Sequence, residues 1–418
     1  MSVPNCARRT ILVAAWFCTA AAAQPPGATA ESLLAYARGA NPDLAVMLRE
    51  ADAAAARVAP AGNLPDPMLG IEWRDITRDG EINPTLSPSR VGSMKYTIRQ
   101  MFPWPGKRDL ARAAAEASAE QSSQAARAMW DELAMRIKVA HARRYELAQR
   151  REIVGEIDAL LAQLESITRV RYAGGLAAQA DAVRALSERT MLRGELISLA
   201  AQARTVDAQV NALLARAPDA PLAAASRLHS PAEELQFASL ANRLRKRNAD
   251  LAADAARVDG AERSRELAYR NRYPDFSLGI SPIQRGNRLA DWDVMFEVTI
   301  PLQQGTRRAQ EQEAEAMVAA AAARREATMQ RALGDLGTAL AQLAGAREMA
   351  QLTESSLIPQ ARVNLQASLA AYESGKVDFA ALLEAERQVR RSRLNLLAAE
   401  VEGQMRLAEI ERLIGEDL

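Results

Sequence analysis

The feature that most constrains this chain is a stretch of about 65 residues, Lys107 to Arg171, with no proline and one glycine, Gly155. Because an α-helix rises about 1.5 Å per residue, a helix of this length would be about 98 Å long. Aromatic residues make up only 4% of the 418 residues, as is typical of long helices. Such a helix cannot fold into a compact globule and needs partner helices along its length. The sequence therefore predicts an elongated, mainly helical protein.

The chain also repeats itself at a spacing of roughly 200 residues, which indicates two halves built on one plan. Segment 41–44 (Asn-Pro-Asp-Leu) matches segment 248–251 (Asn-Ala-Asp-Leu), and segment 65–71 resembles segment 274–280. Each half has the order helix, strand pair, very long helix, turn and helix. We expect the long helix of each half to run beside two shorter helices stacked end to end.

The predicted boundaries follow from this repeat. Residues 24–217 form the first structural repeat, residues 218–231 a polar linker, and residues 232–418 the second repeat. The helices are expected at residues 30–57, 107–171, 176–215 and 306–372, with Pro359 kinking or loosening the last of these. A final helix carries apolar residues at heptad spacing, although Arg390 interrupts its second apolar line.

Four short segments alternate between apolar and polar residues, at about 68–76, 93–102, 275–281 and 292–300. Period-two alternation places the apolar residues on one face of a strand, and Met295 is the one exception to it. The lengths suit tilted strands of a membrane barrel and equally an ordinary half-buried sheet. Four strands cannot close a barrel wide enough for a channel, whereas three chains would supply twelve.

The N-terminus resembles a secretory signal peptide, residues 1–23. Arg8 and Arg9 precede an apolar run at 10–19, and Ala21-Ala22-Ala23 offers a cleavage site. An uncleaved anchor, or lipidation of Cys18, are the alternatives. Both cysteines of the chain, Cys6 and Cys18, lie in this segment, so the mature chain would have no disulfide.

The residues that enzymes and metal sites use are scattered in this sequence. The chain has two histidines, His141 and His229, far apart and with no cysteine nearby. We expect each to be a structural or surface histidine, and we expect no catalytic step, cofactor or resident metal. The formal net charge of +1 gives no indication of nucleic-acid binding.

Together these features resemble the TolC-like outer-membrane efflux protein family over nearly the whole mature chain. The resemblance is carried by the duplicated plan, by the turns Tyr172-x-x-Gly175 and Tyr372-x-x-Gly375, and by a motif at the end of the second strand. The motif consists of Phe102, Pro103, Trp104, Pro105, Gly106 and Lys107. This phrase is similar to the heavy-metal cation efflux branch, whose members serve RND-type pumps.

The resemblance implies a mainly α fold with a membrane β-barrel. Three chains would form a homotrimer in outer-membrane lipid, with a twelve-stranded barrel above a coiled-coil helical tunnel in the periplasm. A periplasmic membrane-fusion adaptor and an inner-membrane RND-type pump would dock at the far end. The chain would be the passive exit duct of a tripartite efflux system, with heavy-metal cations as the expected cargo and drugs, other small organic molecules or secreted proteins as alternative cargo.

The family places its gate just past the two Tyr-x-x-Gly turns. The gate candidates implied here are Asp181, Glu384, Asp378, Glu386, Tyr172 and Tyr372. Ala381 stands at one position where an acid is expected, which leaves the composition of the acidic ring open. Three inward copies of an acid would select cations at a constriction. The turn glycines, Gly175 and Gly375, are expected to have the positive φ of a tight helix end. A secreted periplasmic coiled-coil structural or adaptor protein is the alternative from another class.

Overall fold

The computed structural model describes residues 25–77, 84, 86–88, 90–175, 177–228 and 235–418. The predicted signal peptide with Cys6 and Cys18, the end of the predicted linker, and His229 lie outside the described residues. In chain order the described elements are α1 (Ala30–Ala40), α2 (Pro42–Ala56), α3 (Val58–Ala61), β1 (Met68–Arg74), β2 (Ser93–Phe102), α4 (Lys107–Ala173), α5 (Gln179–Leu213), α6 (Phe237–Arg247), α7 (Ala249–Arg270), β3 (Asp275–Arg285), β4 (Arg288–Thr299), α8 (Gln304–Leu352), a π-helical segment (Thr353–Leu357), α9 (Ile358–Glu373) and α10 (Phe379–Ile414).

The long helices form the body of the molecule. Helix α4 has 67 residues. Its N-terminal part packs against α2 and its C-terminal part packs against α5, while α8 packs against α7 and α10. This confirms the expected pairing of one long helix with two shorter ones. Helices α7 and α10 also pack against α4, which joins the two halves along their length. Among the described helices, none is both long and apolar enough to cross a lipid bilayer.

The four strands form one antiparallel sheet in the order β1-β2-β3-β4, and β2 pairs with β3 across the two halves. Strands β1 and β4 are its free edges. The apolar face of the sheet is exposed, with Leu69 69% and Val294 80% accessible. An open sheet with two unpaired edges and an apolar face is a surface that needs further partners.

The predicted strands of the second half were too short. Strand β3 continues to Arg285 and β4 begins at Arg288, because Gly286, with a φ of +61°, allows a tight hairpin between them. Strand β1 ends at Arg74, earlier than predicted. The exception to the alternation, Met295, lies opposite Gly279, and a Cβ built on that glycine would lie 3.0 Å from the Met295 Cε. Met295 thus fills the space that a glycine leaves on the polar face.

The single helix predicted at residues 30–57 is wrong, since it breaks into α1 and α2 at Asn41. Pro42 cannot donate an amide hydrogen bond and disfavours helical backbone at the residue before it. The Asn41 Oδ1 accepts from Leu44 N at 3.0 Å and caps α2, while its Nδ2 donates to Leu213 O at 2.8 Å. Asn41 therefore starts one helix and holds the end of another.

The second half repeats this arrangement at Asn248. Its Oδ1 accepts from Leu251 N at 2.9 Å, and its Nδ2 donates to Leu413 O at 2.9 Å. Both asparagines are 5% exposed. The repeated Asn-x-Asp-Leu segment is therefore a helix junction. In each half it connects the helices that precede the strands to the last helix of that half.

The predicted helix at 306–372 is interrupted, as expected, near Pro359. Five residues of π-helix, Thr353–Leu357, precede it, and Pro359 occupies the first turn of α9. Proline has no N–H to donate to the carbonyl four residues earlier, and for Pro359 that carbonyl lies within the π-helical segment. The hydroxyl of Thr353 is buried and has no hydrogen-bond partner among the described residues.

Candidate functional site at the helix-turn end

The two Tyr-x-x-Gly turns lie together at the end of the helices far from the sheet, and we call this end the tip (residues 168–190 and 370–393). The Arg171 Nη1 donates to the Glu373 carbonyl oxygen at 2.8 Å. The same guanidinium lies over the Tyr372 ring, 5.0 Å from its centroid. Because α4 runs from the sheet to this point, its 67 residues separate the tip from the strands by about 100 Å.

The turn glycines have the conformation that the sequence predicts. Gly175 has a φ of +72° and Gly375 a φ of +74°, and both amides donate to the carbonyl of the tyrosine three residues earlier at 3.0 Å. This left-handed backbone ends a helix at little cost only for glycine. Both helices therefore reverse sharply at the same level.

The two tyrosines of the turns have different surroundings. Tyr372 is 4% exposed, and its hydroxyl donates to the Thr168 Oγ1 at 3.3 Å. Its ring makes an edge contact with Phe379, with the centroids 5.5 Å apart. Tyr172 is 45% exposed. Tyr372 therefore packs the two halves together, whereas Tyr172 is available at the surface.

Three of the four acidic candidates lie near the surface of the tip. Asp181, in the first turn of α5, forms an ion pair with Arg184 at 3.6 Å. Asp378 caps α10, and its Oδ1 accepts from Ala381 N at 2.9 Å. Glu384 is exposed and pairs with Arg391 and, at 3.9 Å, with Arg387. Asp181 and Glu384 remain candidates for a solvent-facing ring.

Glu386 differs from the other three because it is completely buried. Neither of its carboxylate oxygens has a hydrogen-bond partner among the described residues. Burial, which disfavours the charged form, raises the pKa of Glu386 to about 7. In this conformation Glu386 faces no solvent, so it cannot contribute to a ring around an aqueous opening.

An ion cluster around the buried Glu188 joins α5 to α10 at the same level, and the sequence analysis did not identify it. Glu188 of α5 is 3% exposed and accepts from the Arg387 Nη2 at 2.5 Å and from the Arg390 Nη2 at 3.5 Å. The hydrogen bonds from Arg387 lower the pKa of Glu188. Arg390 is the residue that interrupts the apolar line of α10. The interruption was the available signal, but its partner lies 202 residues away.

Further ion pairs connect both helices to α4. Arg189 of α5 donates to Asp158 at 3.2 Å and to Glu165 at 2.6 Å. Arg393 of α10 donates to Glu156 at 2.5 Å. The tip is therefore held by charges on three helices in addition to its apolar core.

The strand-end motif, by contrast, joins the two halves next to the sheet. Trp104 stacks on Tyr273 with the ring centroids 5.0 Å apart, and its amide donates to the Asp275 Oδ1 at 2.8 Å. The Lys107 Nζ donates to the same oxygen at 2.8 Å and to the Tyr273 carbonyl at 2.9 Å. Gly106, which lies between Trp104 and Lys107 and has a φ of +87°, is the residue immediately before α4. The motif fixes where the first strand pair turns into the long helix.

The polar face of the sheet carries its charges in pairs. Lys95 of β2 donates to Asp293 of β4 at 2.7 Å, and Arg99 donates to Glu297 at 3.0 Å. Each pair reaches across β3, which presents small residues such as Ser281 between them. In the described part of the chain, no group of three histidine, cysteine or acidic residues could hold a metal ion.

A four-stranded antiparallel sheet at one end of paired helices about 100 Å long is the fold of the TolC-like channel structures. Residues 240–416, almost all of the second half, match the family described as outer membrane efflux protein. No curated protein sequence matches the chain significantly.

Solved structures share the fold along nearly the whole chain. One is CusC, whose crystal structures address the conformational changes that accompany folding and transmembrane channel formation. It is 17% identical to this chain, with 99% of each chain covered and a TM-score of 0.81. The outer membrane protein VceC of Vibrio cholerae is 18% identical, covering 93% of this chain and 96% of that one, with a TM-score of 0.77. The open MtrE outer membrane channel of Neisseria gonorrhoeae is 15% identical, covering 93% and 89%, with a TM-score of 0.77.

Proposed function

We propose that this chain is one subunit of a homotrimeric outer-membrane efflux duct, with its helices extending into the periplasm. The observation that carries the proposal is the open sheet, with free β1 and β4 edges and an exposed apolar face, at the end of very long helices. In a trimer, β4 of each chain would pair with β1 of the next, and twelve strands would close a barrel. The apolar face would then contact lipid and the polar face would line the passage.

The helices support the same assembly. Helix α5 exposes Val183, Leu186 and Ile197 at heptad spacing, and the other flank exposes Met349 and Val363 on α8 and α9. Apolar lines at this spacing pack against partner helices. A neighbouring copy would cover both flanks and extend the helices into a tunnel. The tip is then the end at which a periplasmic adaptor and an inner-membrane RND-type pump would dock.

The proposed cargo is heavy-metal cations, and the support for it is the similarity of the Phe102 to Lys107 motif to the cation-efflux branch. A duct should bind its cargo weakly so that the cargo can leave. Pairing of Lys95 with Asp293 and of Arg99 with Glu297 would leave the barrel lining without a dense single-sign charge. Drugs and other small organic molecules are the competing cargo.

Location and assembly are tested by fractionating cells that express the full chain. We expect the mature protein in the outer-membrane fraction, and chemical cross-linking of that fraction should give a trimer band. Recovery as a monomer in the soluble periplasm would instead support a secreted coiled-coil protein and overturn the proposal.

Cargo is tested by deleting the gene and measuring growth on a panel of metal salts and dyes. We expect lower tolerance to one or more metals, restored by a plasmid copy of the gene. Unchanged tolerance to every metal, together with sensitivity to dyes, would assign the duct to organic cargo.

The gate assignment is tested in single channels. We propose that Asp181 and Glu384 face the opening, since they lie in the first turn of α5 and the second turn of α10 and are not buried. The double variant Asp181→Ala with Glu384→Ala should weaken the block of current by multivalent cations, because it removes six carboxylates from a trimer. Identical block in the variant and the wild type would reject these positions.

A further inference from the structure

The buried Glu386 has no role in the duct described so far, although it lies one residue from the ion cluster of the tip. Buried carboxyl groups are normally paired or hydrogen-bonded, because an unpaired one loses its hydration without compensation. Glu386 is 0% exposed within a single chain, so its burial does not depend on a neighbouring copy. A carboxyl in this position is stable in its neutral form.

The groups around Glu386 show what its ionisation would change. Its own helix contributes Arg390, Arg387 and Glu384, and α5 contributes Glu188. Three acidic residues of α4 form ion pairs with other residues: Glu156 pairs with Arg393, and Asp158 and Glu165 both pair with Arg189. On α9, Arg362 is exposed. Arg390 lies one turn further along the same face of the helix and is the positive charge with the largest effect on Glu386.

Arg390 is already shared between two acids of α5. Its guanidinium lies 3.5 Å from the Glu188 Oε1 and 3.8 Å from the Glu195 Oε2. A glutamate four residues before an arginine on a helix is the favoured order for an ion pair. A charged Glu386 would compete with Glu188 and Glu195 for Arg390. Any ion pair that Arg390 formed with Glu386 would weaken the ion pairs between α5 and α10.

We propose that Glu188, Arg387 and Arg390 form a latch between α5 and α10, and that loss of the Glu386 proton releases it by drawing Arg390 away from α5. The inference rests on the proposed duct, since opening of the tip requires α5 and α10 to separate or slide. When Glu386 is neutral, Arg387 and Arg390 both pair with Glu188 of α5, and the tip stays closed. With Glu386 charged, Arg387 alone holds Glu188.

The sign of the pH dependence follows from linkage. The latched form holds the Glu386 proton up to about pH 7, whereas an opened, hydrated form would release it at the ordinary value for glutamate. The latched form therefore binds more protons, so it is most favoured below that ordinary value and loses its advantage as pH rises towards 7. Between pH 5 and pH 7.5 the opening equilibrium should shift by up to roughly fifty-fold per protomer.

The experiment is a measurement of open probability for the full-length protein in planar bilayers between pH 5 and pH 8. The wild type should open more as pH rises and level off above neutrality. Glu386→Gln, a neutral isostere of the buried form, should stay closed and lose the pH dependence. Glu188→Gln, which removes the anchor of both arginines, should open more often at every pH.

The matched control is Glu402→Gln, since Glu402 is an acid on the same helix, about three turns beyond Arg390, that pairs with Arg406 and has no contact with the latch. It should keep the pH dependence of the wild type. A Glu386→Gln channel with the wild-type slope would overturn the latch while leaving the duct intact. Absence of any conductance in the wild type would overturn the duct itself, and the latch with it.

Discussion

At the scale of single residues, Asn41 and Asn248 do the same work in the two halves, each capping one helix and holding the last turn of another. The sequence shows that the two segments match, but it does not show why. The carbonyls of Leu213 and Leu413, which these side chains bind, lie far along the chain, and no local pattern indicates them.

Replacing Asn248 with alanine tests this role. Loss of a helix cap costs about 1 kcal/mol, and leaving the Leu413 carbonyl unpaired in a buried place costs about 1–2 kcal/mol more. We therefore expect the free energy of unfolding to fall by about 2–3 kcal/mol, measured as a lower urea midpoint in detergent. The exposed Asn395 on α10 is the control, and Asn395→Ala should change the free energy of unfolding by less than about 0.5 kcal/mol. Equal effects of the two substitutions would contradict the junction role.

Residue types alone also failed to separate the acids of the tip. Asp378 and Glu386 both follow the second turn, yet one caps a helix at the surface and the other is buried without a partner. Their difference depends on which face of α10 packs against α4 and α5, and the apolar heptads give that face only approximately. Arg390 interrupts the apolar line, and at this position an ion pair with Glu188 takes the place of an apolar contact.

At the scale of elements, helices and strands were predictable where one strong periodicity runs without interruption. The length of α4 and the alternation of β2 both follow from local pattern, and the structure confirms them. The strand pair β3 and β4 was predicted, but its tight turn was missed because the polar residues around Gly286 resemble a longer loop. The break at Asn41 was missed because the apolar spacing continues on both sides of Pro42.

The turn glycines give a prediction at this scale. Gly375→Ala places a Cβ on left-handed backbone, which costs about 1–2 kcal/mol, and the same holds for Gly175→Ala. The matched control is Gly345→Ala in the last third of α8, where a Cβ meets nothing within 4 Å. That control should stabilise the helix by about 0.5–1 kcal/mol. Thermal midpoints moving in opposite directions would support the turn geometry, whereas similar shifts for all three variants would contradict it.

At the scale of the whole molecule, the two faces of the sheet are predicted to contact different media. Val294, 80% exposed on the apolar face, would face lipid, whereas Ser277 lies on the polar face opposite Glu297. An arginine in contact with lipid near the bilayer centre costs about 2–4 kcal/mol. We expect Val294→Arg to reduce the amount of trimer in the outer membrane several-fold and Ser277→Arg to leave it near the wild-type level, measured by quantitative immunoblots. Equal loss in both variants would argue against a lipid-facing surface.

The junction built by the Phe102 to Lys107 motif has a consequence for symmetry. A trimer of duplicated chains has six similar sectors around its axis, and features present in both halves, such as the asparagine junctions, recur six times. The Trp104 and Lys107 contacts to Asp275 occur only within a chain, because the corresponding segment after Pro301 has neither tryptophan nor lysine. In the proposed trimer, contacts inside a chain would therefore alternate with differently built contacts between chains. The ring would have approximate sixfold symmetry in shape but only threefold symmetry in its stabilising contacts, and it should dissociate first at the three interfaces between chains.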